Sequence, residues 1–322
     1  MEYKTYTIKA AAQLTGLSEL VIRAWENRYG AVVPARKGNR RIYSESDIEK
    51  LSLLKKLTEN NYRIGNIANY SVEELKDIIT LNDIKKTGMA NVLKPGTAEN
   101  FANILAECVS YIRNFDNKNL ELLLNNCAVE YSRNQFIDNI IIPLISKVGE
   151  YWRTGILRIA HEHFASTIIR KIMSTLLDGF KIDDRFPKIL ISTPQGQYHE
   201  IGALIGGSLA AADGWNVVYL GPSLPIEEIV YTAQKIKPEV IFLSLIYPSD
   251  DSRLLQELSK LKVLDYTPHL IFSGESIGGY KETIADIKGK IVDSSEEFRN
   301  LLKAIRAENS VKHQNKEGER MD

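Results

Sequence analysis

Cysteine is close to absent from this chain: Cys108 and Cys127 are the two thiols among 322 residues. That excludes a disulfide scaffold and suits buried free thiols in a reducing compartment. Net charge is missing too. Lys plus Arg is 41 and Asp plus Glu is 41, so the protein as a whole is not a polycation. No apolar run approaches the roughly 20 residues that span a bilayer. The first residues lack the basic, apolar and small-residue order of a secretory leader. A cytoplasmic protein with no membrane partner is therefore expected. No internal repeat is visible. The length allows two or three domains and a sizeable core.

What charge there is lies unevenly. Residues 1–43 hold eight Lys or Arg against three acids, a surplus of five that points to a local polyanion partner. Ile8 to Leu14 predicts a short helix, and Thr15-Gly16-Leu17 a tight turn. Ser18 then caps a second helix from Glu19 to Tyr29, which Gly30 ends. Two short helices joined at a glycine form a helix-turn-helix pattern. A basic hairpin follows from Pro34 to Tyr43 with its turn at Lys37-Gly38-Asn39, and Ser44 and Ser46 lead into another helix. Arg23 and Asn27 stand four apart on one helix face, with Arg28 beside them. Side chains so placed reach base edges and phosphates in a major groove. Arg40, Arg41 and Tyr43 on the hairpin suit phosphate contacts beside it.

The chain divides by composition and period. Residues 1–78 form the first unit. Residues 79–98 read as a linker broken by glycine and proline. Residues 99–184 are helical throughout, which suggests a four-helix bundle, with a kink expected at Pro143. Residues 185–307 alternate strand and helix. Strands are predicted at 188–193, 216–220, 240–245, 269–273 and 290–293, hence a parallel sheet covered on both faces. Residues 308–322 are polar and charged and read as a disordered tail.

A histidine stands out at the first strand of that sheet. His199, in Gln197-Tyr198-His199-Glu200-Ile201-Gly202, lies on the loop leaving strand 188–193. That is the carboxyl edge, where open α/β sheets bind ligands. An imidazole there can coordinate a metal or move a proton.

Three resemblances sharpen the picture. Residues 5–75 resemble the DNA-binding domain of MerR-type transcription regulators, through Tyr6-Thr7-Ile8, Arg23-Ala24-Trp25-Glu26 and Arg40-Arg41-Ile42-Tyr43. Gln197-x-His199-x-x-Gly202 resembles the Asp-x-His-x-x-Gly signature of cobalamin-binding domains. Ser244-Leu245-Ile246 is similar to that family's Ser-x-Leu, and Ser273-Gly274 with Gly278-Gly279 to its glycine pair. Trp152, followed after nine residues by Glu162-His163, is similar to the CarH/LitR light-responsive cobalamin regulators, whose domain order matches over residues 5–306.

The resemblance implies a winged helix-turn-helix, a four-helix bundle cap and a flavodoxin-like Rossmann domain. It implies adenosylcobalamin as cofactor, with His199 as the lower cobalt ligand and Trp152, Glu162 and His163 on the adenosyl group. Gln197, Gly202, Ser244, Ile246, Ser273 and Gly274 would line the cofactor slot. The function implied is that of a light-responsive repressor, not an enzyme, that binds double-stranded promoter DNA as a dimer or tetramer stabilised by the cofactor. The alternative is the same architecture sensing another ligand or none. Two departures favour that alternative. The family carboxylate is Gln197 here, whose amide oxygen can orient the ring but lacks charge. The histidine that ligates from above after illumination is Arg153, which has no lone pair. His161 is the nearest other histidine.

Overall fold

The computed structural model describes residues 4–38, 40–60, 62–85, 98–178, 186–246, 252–275 and 277–318. The chain forms two compact units, Met1–Lys181 and Ile182–Asp322.

In the first unit, strand β1 (Thr5–Thr7) leads into α1 (Ile8–Thr15) and α2 (Glu19–Tyr29). The expected caps are in place: the Ser18 hydroxyl accepts from the Val21 amide at 3.2 Å. β2 (Ala35–Lys37) and β3 (Arg40–Ser44) make the hairpin, and β3 pairs antiparallel with both β1 and β2. α3 (Glu45–Glu59) starts from a capping box in which Ser44 and Asp47 bond each other's backbone amides. α4 (Ile64–Ile67) and α5 (Val72–Lys85) close a core of Ile22, Trp25, Tyr43, Leu51, Leu54 and Leu57. Most of the expected linker, residues 86–97, lies outside the described residues.

The bundle comprises α6 (Ala98–Arg113), α7 (Asn117–Glu130), α8 (Arg133–Phe136), α9 (Ile142–Arg153) and α10 (Ile159–Asp178). Between α8 and α9 the backbone widens into a π turn, Ile137–Ile141. The irregularity expected at Pro143 takes this form. Proline has no amide hydrogen, and its ring would press on the carbonyl four residues back; the wider turn immediately before it relieves that crowding. Cys108 and Cys127 are free and buried, and burial pushes both thiols up to about 12.

The second unit alternates β4 (Lys188–Ser192), α11 (Ile201–Ala212), β5 (Asn216–Tyr219), α12 (Ile226–Ile236), β6 (Val240–Ser244), α13 (Ser252–Ser259), β7 (His269–Ser273), α14 (Lys281–Asp286), β8 (Lys290–Ile291) and α15 (Ser295–Gly318). All five strands are parallel, in the order β5-β4-β6-β7-β8. This is the flavodoxin-like order, and it reverses between β4 and β6. β6 is buried along its whole length, which explains its unbroken apolar run. α15 runs to Gly318, past residue 308 where disorder was expected. Its Glu, Lys, Arg and Gln residues are good helix formers, and polarity alone does not break a helix.

Gly274, after β7, has a φ of +131° and a Cβ placed on it would lie 1.9 Å from the Leu245 carbonyl oxygen. Gly274→Ala should therefore destabilise the fold by about 3 kcal/mol, by backbone strain and steric conflict together. Urea unfolding of the full chain measures this, and a change below measurement error would show that the β6 and β7 ends adapt freely.

Candidate functional site

The order reversal between β4 and β6 opens a crevice at the carboxyl ends of these strands. The loop after β4 is fixed there by its own polar groups. The Thr193 hydroxyl donates to the Gln197 carbonyl and accepts from the Ser223 amide at 2.8 Å. The Gly196 amide donates to the Ser223 hydroxyl at 3.1 Å. The Gln197 side chain is buried, and its Oε1 accepts from the Ile246 amide at 2.9 Å. At Gly202, a Cβ would stand 2.7 Å from the Ser244 hydroxyl and 3.7 Å from Ile246. The structure thus brings Gln197, Gly202, Ser244 and Ile246 into one contact across the crevice. Ser273 sits beside Ser244 in the β6–β7 register, and its carbonyl accepts from the Leu245 amide at 2.8 Å, which places Gly274 against the same turn.

His199 is exposed on this loop and makes no hydrogen bond with any described residue. Its neighbour Glu200 accepts from the Tyr219 hydroxyl at 2.5 Å, which ties the start of α11 to β5. The Gln197 oxygen, expected to orient the imidazole, accepts from the Ile246 amide. That amide belongs to a turn leaving a buried strand, and without a partner it would cost about 1–3 kcal/mol. Sequence reading missed Thr193 and Ser223. The signal was available: small hydroxyl residues in the loops after β4 and β5 can serve loop amides as donors and acceptors.

On the bundle, Trp152 lies in the last turn of α9 and is 47% exposed, with Arg153 ending the helix. The Glu162 carboxylate accepts from Ser166 at 2.5 Å and meets His163 Nδ1 at 2.5 Å. His161 is held otherwise. Its Nδ1 accepts from the Arg158 amide at 3.0 Å, and its ring stacks on Phe115 with centroids 4.4 Å apart. It caps the first turn of α10.

The basic unit separates the residues expected to meet DNA into two groups. Arg23, Asn27, Arg28 and Arg40 are exposed; Arg23 carries a 3.3 Å ion pair to Glu19 within its helix. Arg28 donates to the Asn126 side chain of α7 at 3.1 Å. Arg41 Nε bonds both oxygens of Glu26, at 2.8 and 2.9 Å, and the Tyr43 hydroxyl donates to Glu26 at 3.2 Å. Tyr43, expected on phosphate, is completely buried with its hydroxyl turned to Glu26. The reason is the strand period: residues 41 and 43 share a face of β3, and that face turns toward α2. Burial and the Glu26 carboxylate raise the Tyr43 phenol above its ordinary range. Glu26, to which the sequence reading assigned no role, holds the hairpin to the helix.

Residues 6–78 match the family of MerR HTH regulatory proteins, and residues 104–177 match the B12 binding domain. The chain is 26% identical to the HTH-type transcriptional repressor CarH of Myxococcus xanthus, over 81% of this chain and 86% of that protein. It is 23% identical to the repressor CarA of the same organism, over 94% and 98%. The solved structure of the Methanosarcina barkeri monomethylamine corrinoid protein shares the fold, with a TM-score of 0.53 and 16% identity over 64% of this chain and 99% of that one. No helix among the described residues is long and apolar enough to cross a membrane.

The Glu26 clamp separates the two hairpin arginines by experiment. Arg40→Ala should lower affinity for duplex DNA and reduce the slope of log affinity against log salt by about one. Arg41, already neutralised by Glu26, should lower affinity when replaced by alanine but change the slope less. Salt titrations of both variants decide this, and equal slope changes would place Arg41 on phosphate.

Proposed function

We propose that this chain, a MerR-type transcription regulator with a B12-binding domain, is a light-responsive repressor that takes adenosylcobalamin and binds promoter DNA as an oligomer in the cytoplasm. The observation that carries the cobalamin reading is the meeting of Gln197, Gly202, Ser244 and Ile246 at the crevice between β4 and β6. Glycine at 202 is what lets α11 approach Ser244 this closely. His199 fits the group by its chemistry: it is exposed, and a neutral imidazole is a good cobalt donor. The similarity to CarH and CarA, both repressors by name, supports the direction of regulation.

In this reading His199 is the lower ligand. Ser244, Ile246, Ser273 and Gly274 line the slot for the nucleotide tail, while Trp152, Glu162 and His163 meet the adenosyl group. Adenosylcobalamin supplies a photolabile cobalt–carbon bond. Arg23, Asn27, Arg28 and Arg40 meet the duplex, and Glu26 with Arg41 and Tyr43 keeps the hairpin in position. A dimer or tetramer presents several such units together and gains avidity through effective concentration. Light then shifts the population toward assemblies that hold DNA less well.

The assignment of His199 has a direct test. His199→Ala should lose the imidazole-ligated absorption spectrum and most cobalamin affinity, with circular dichroism unchanged. A wild-type spectrum from this variant would remove His199 as ligand. Gln197→Glu should act oppositely. One carboxylate oxygen can keep the Ile246 amide while the second adds an acceptor and a charge, and affinity should rise by about tenfold. If the wild-type protein takes up no cobalamin and stays colourless, the alternative stands: the same architecture serving another ligand.

Arg153 sets the outcome of illumination. Its guanidinium stays protonated and offers no lone pair. After green light the wild-type protein should keep a single-imidazole spectrum and release its corrinoid on gel filtration. Arg153→His should give a bis-imidazole spectrum and retain it. A stable bis-imidazole spectrum in the illuminated wild type would contradict this and move the role to another histidine.

A further inference from the structure

The reading helix does not stand alone. Trp25, buried, and Arg28, exposed, stand three residues apart on a stripe of α2 that meets α7 of the bundle, whereas Arg23 and Asn27 share another, exposed stripe. The Trp25 indole donates to the Val129 carbonyl at 2.9 Å. Val129 belongs to the last turn of α7, where helical carbonyls have no partner in their own helix. The DNA-binding unit therefore supplies a cap for a bundle helix. Arg63 strengthens the same end, 3.6 Å from Glu130 and 3.3 Å from the Tyr131 hydroxyl, a cation where the helix dipole favours one. Arg28 completes the set through Asn126. α7 in turn is joined to α10, the helix of Glu162 and His163, by the 2.6 Å pair of Lys171 with Glu121.

We infer that the Arg28–Asn126 contact is an autoinhibitory lock: the C-terminal half of α7 holds Arg28 away from a duplex, and DNA and the bundle compete for it. The inference rests on α2 being the DNA-reading helix. It requires no cobalamin, so it can be tested apart from the cofactor reading. While the dock is closed Arg28 is committed to Asn126; when α7 moves, the guanidinium is released at the edge of a helix that already presents Arg23 and Asn27. The bundle thereby gains a lever on DNA affinity through one side chain.

The test uses the full chain and a mixed-sequence duplex at low salt, because a phosphate contact does not depend on sequence. Asn126→Ala should raise affinity by about fivefold, the net worth of one typical hydrogen bond. It should also steepen the salt slope by about one as Arg28 joins the interface. In an Arg28→Ala background the same change should do nothing. Unfolding curves for each variant separate these effects from loss of fold. Unchanged or weaker binding by Asn126→Ala, or an equal gain without Arg28, overturns the lock while leaving the DNA-binding reading intact. Failure of every variant to bind duplex would overturn both.

Discussion

The sheet-edge site depends on one backbone amide. Ile246 leaves a strand buried from end to end, so its N–H must find an acceptor nearby or lose about 1–3 kcal/mol. Gln197 provides the acceptor from the loop after β4, and this bond draws together the two loops that flank the order reversal. Gly202 and Ser244 can then meet closely. A carboxylate at 197 would have oxygens for both the amide and an imidazole. A glutamine has one acceptor oxygen, and the Ile246 amide takes one of its two lone pairs. The departure from the cobalamin signature therefore leaves the loop's architecture intact and changes the electrostatics of the histidine beside it.

The basic unit uses the same economy with a different group. One carboxylate, Glu26, takes Arg41 through both oxygens and Tyr43 through one. The ion pair is partly buried, so it is screened less than a surface pair and also positions what it joins. A basic hairpin would otherwise be free to move relative to α2. With Glu26 between them, the hairpin and the reading helix present their exposed residues as one surface.

How much of this was legible depended on the range of the interaction. Ser18, Gly30 and Ser44 act within a turn of where they stand, and helix ends follow from them directly. The strands at 188–193, 216–220, 240–245 and 269–273 were readable because parallel strands buried on both faces are continuous apolar runs. What escaped was non-local. Tyr43 looks like a polar hairpin residue until Glu26 is seen beneath it. Arg28 looks like a free cation until α7 is placed beside α2. The oxygen of Gln197 is claimed by a residue 49 positions away. In the tail, composition was read as disorder where helix propensity prevailed.

The bundle histidines differ in what their hydrogen bonds leave available. His161 Nδ1 accepts a backbone proton, so in the neutral ring the proton sits on Nε2 and no lone pair is offered. Freeing it would uncap α10 and break the stack on Phe115, a residue held at a φ of +52°. His163 has the opposite arrangement. Its Nδ1 faces the Glu162 carboxylate, so the neutral ring carries its proton there and leaves the Nε2 lone pair free. A carboxylate behind the ring is also what makes imidazole a better metal donor. His161 is thus committed to the start of α10, whereas His163 keeps an Nε2 lone pair through the same carboxylate that fixes Ser166.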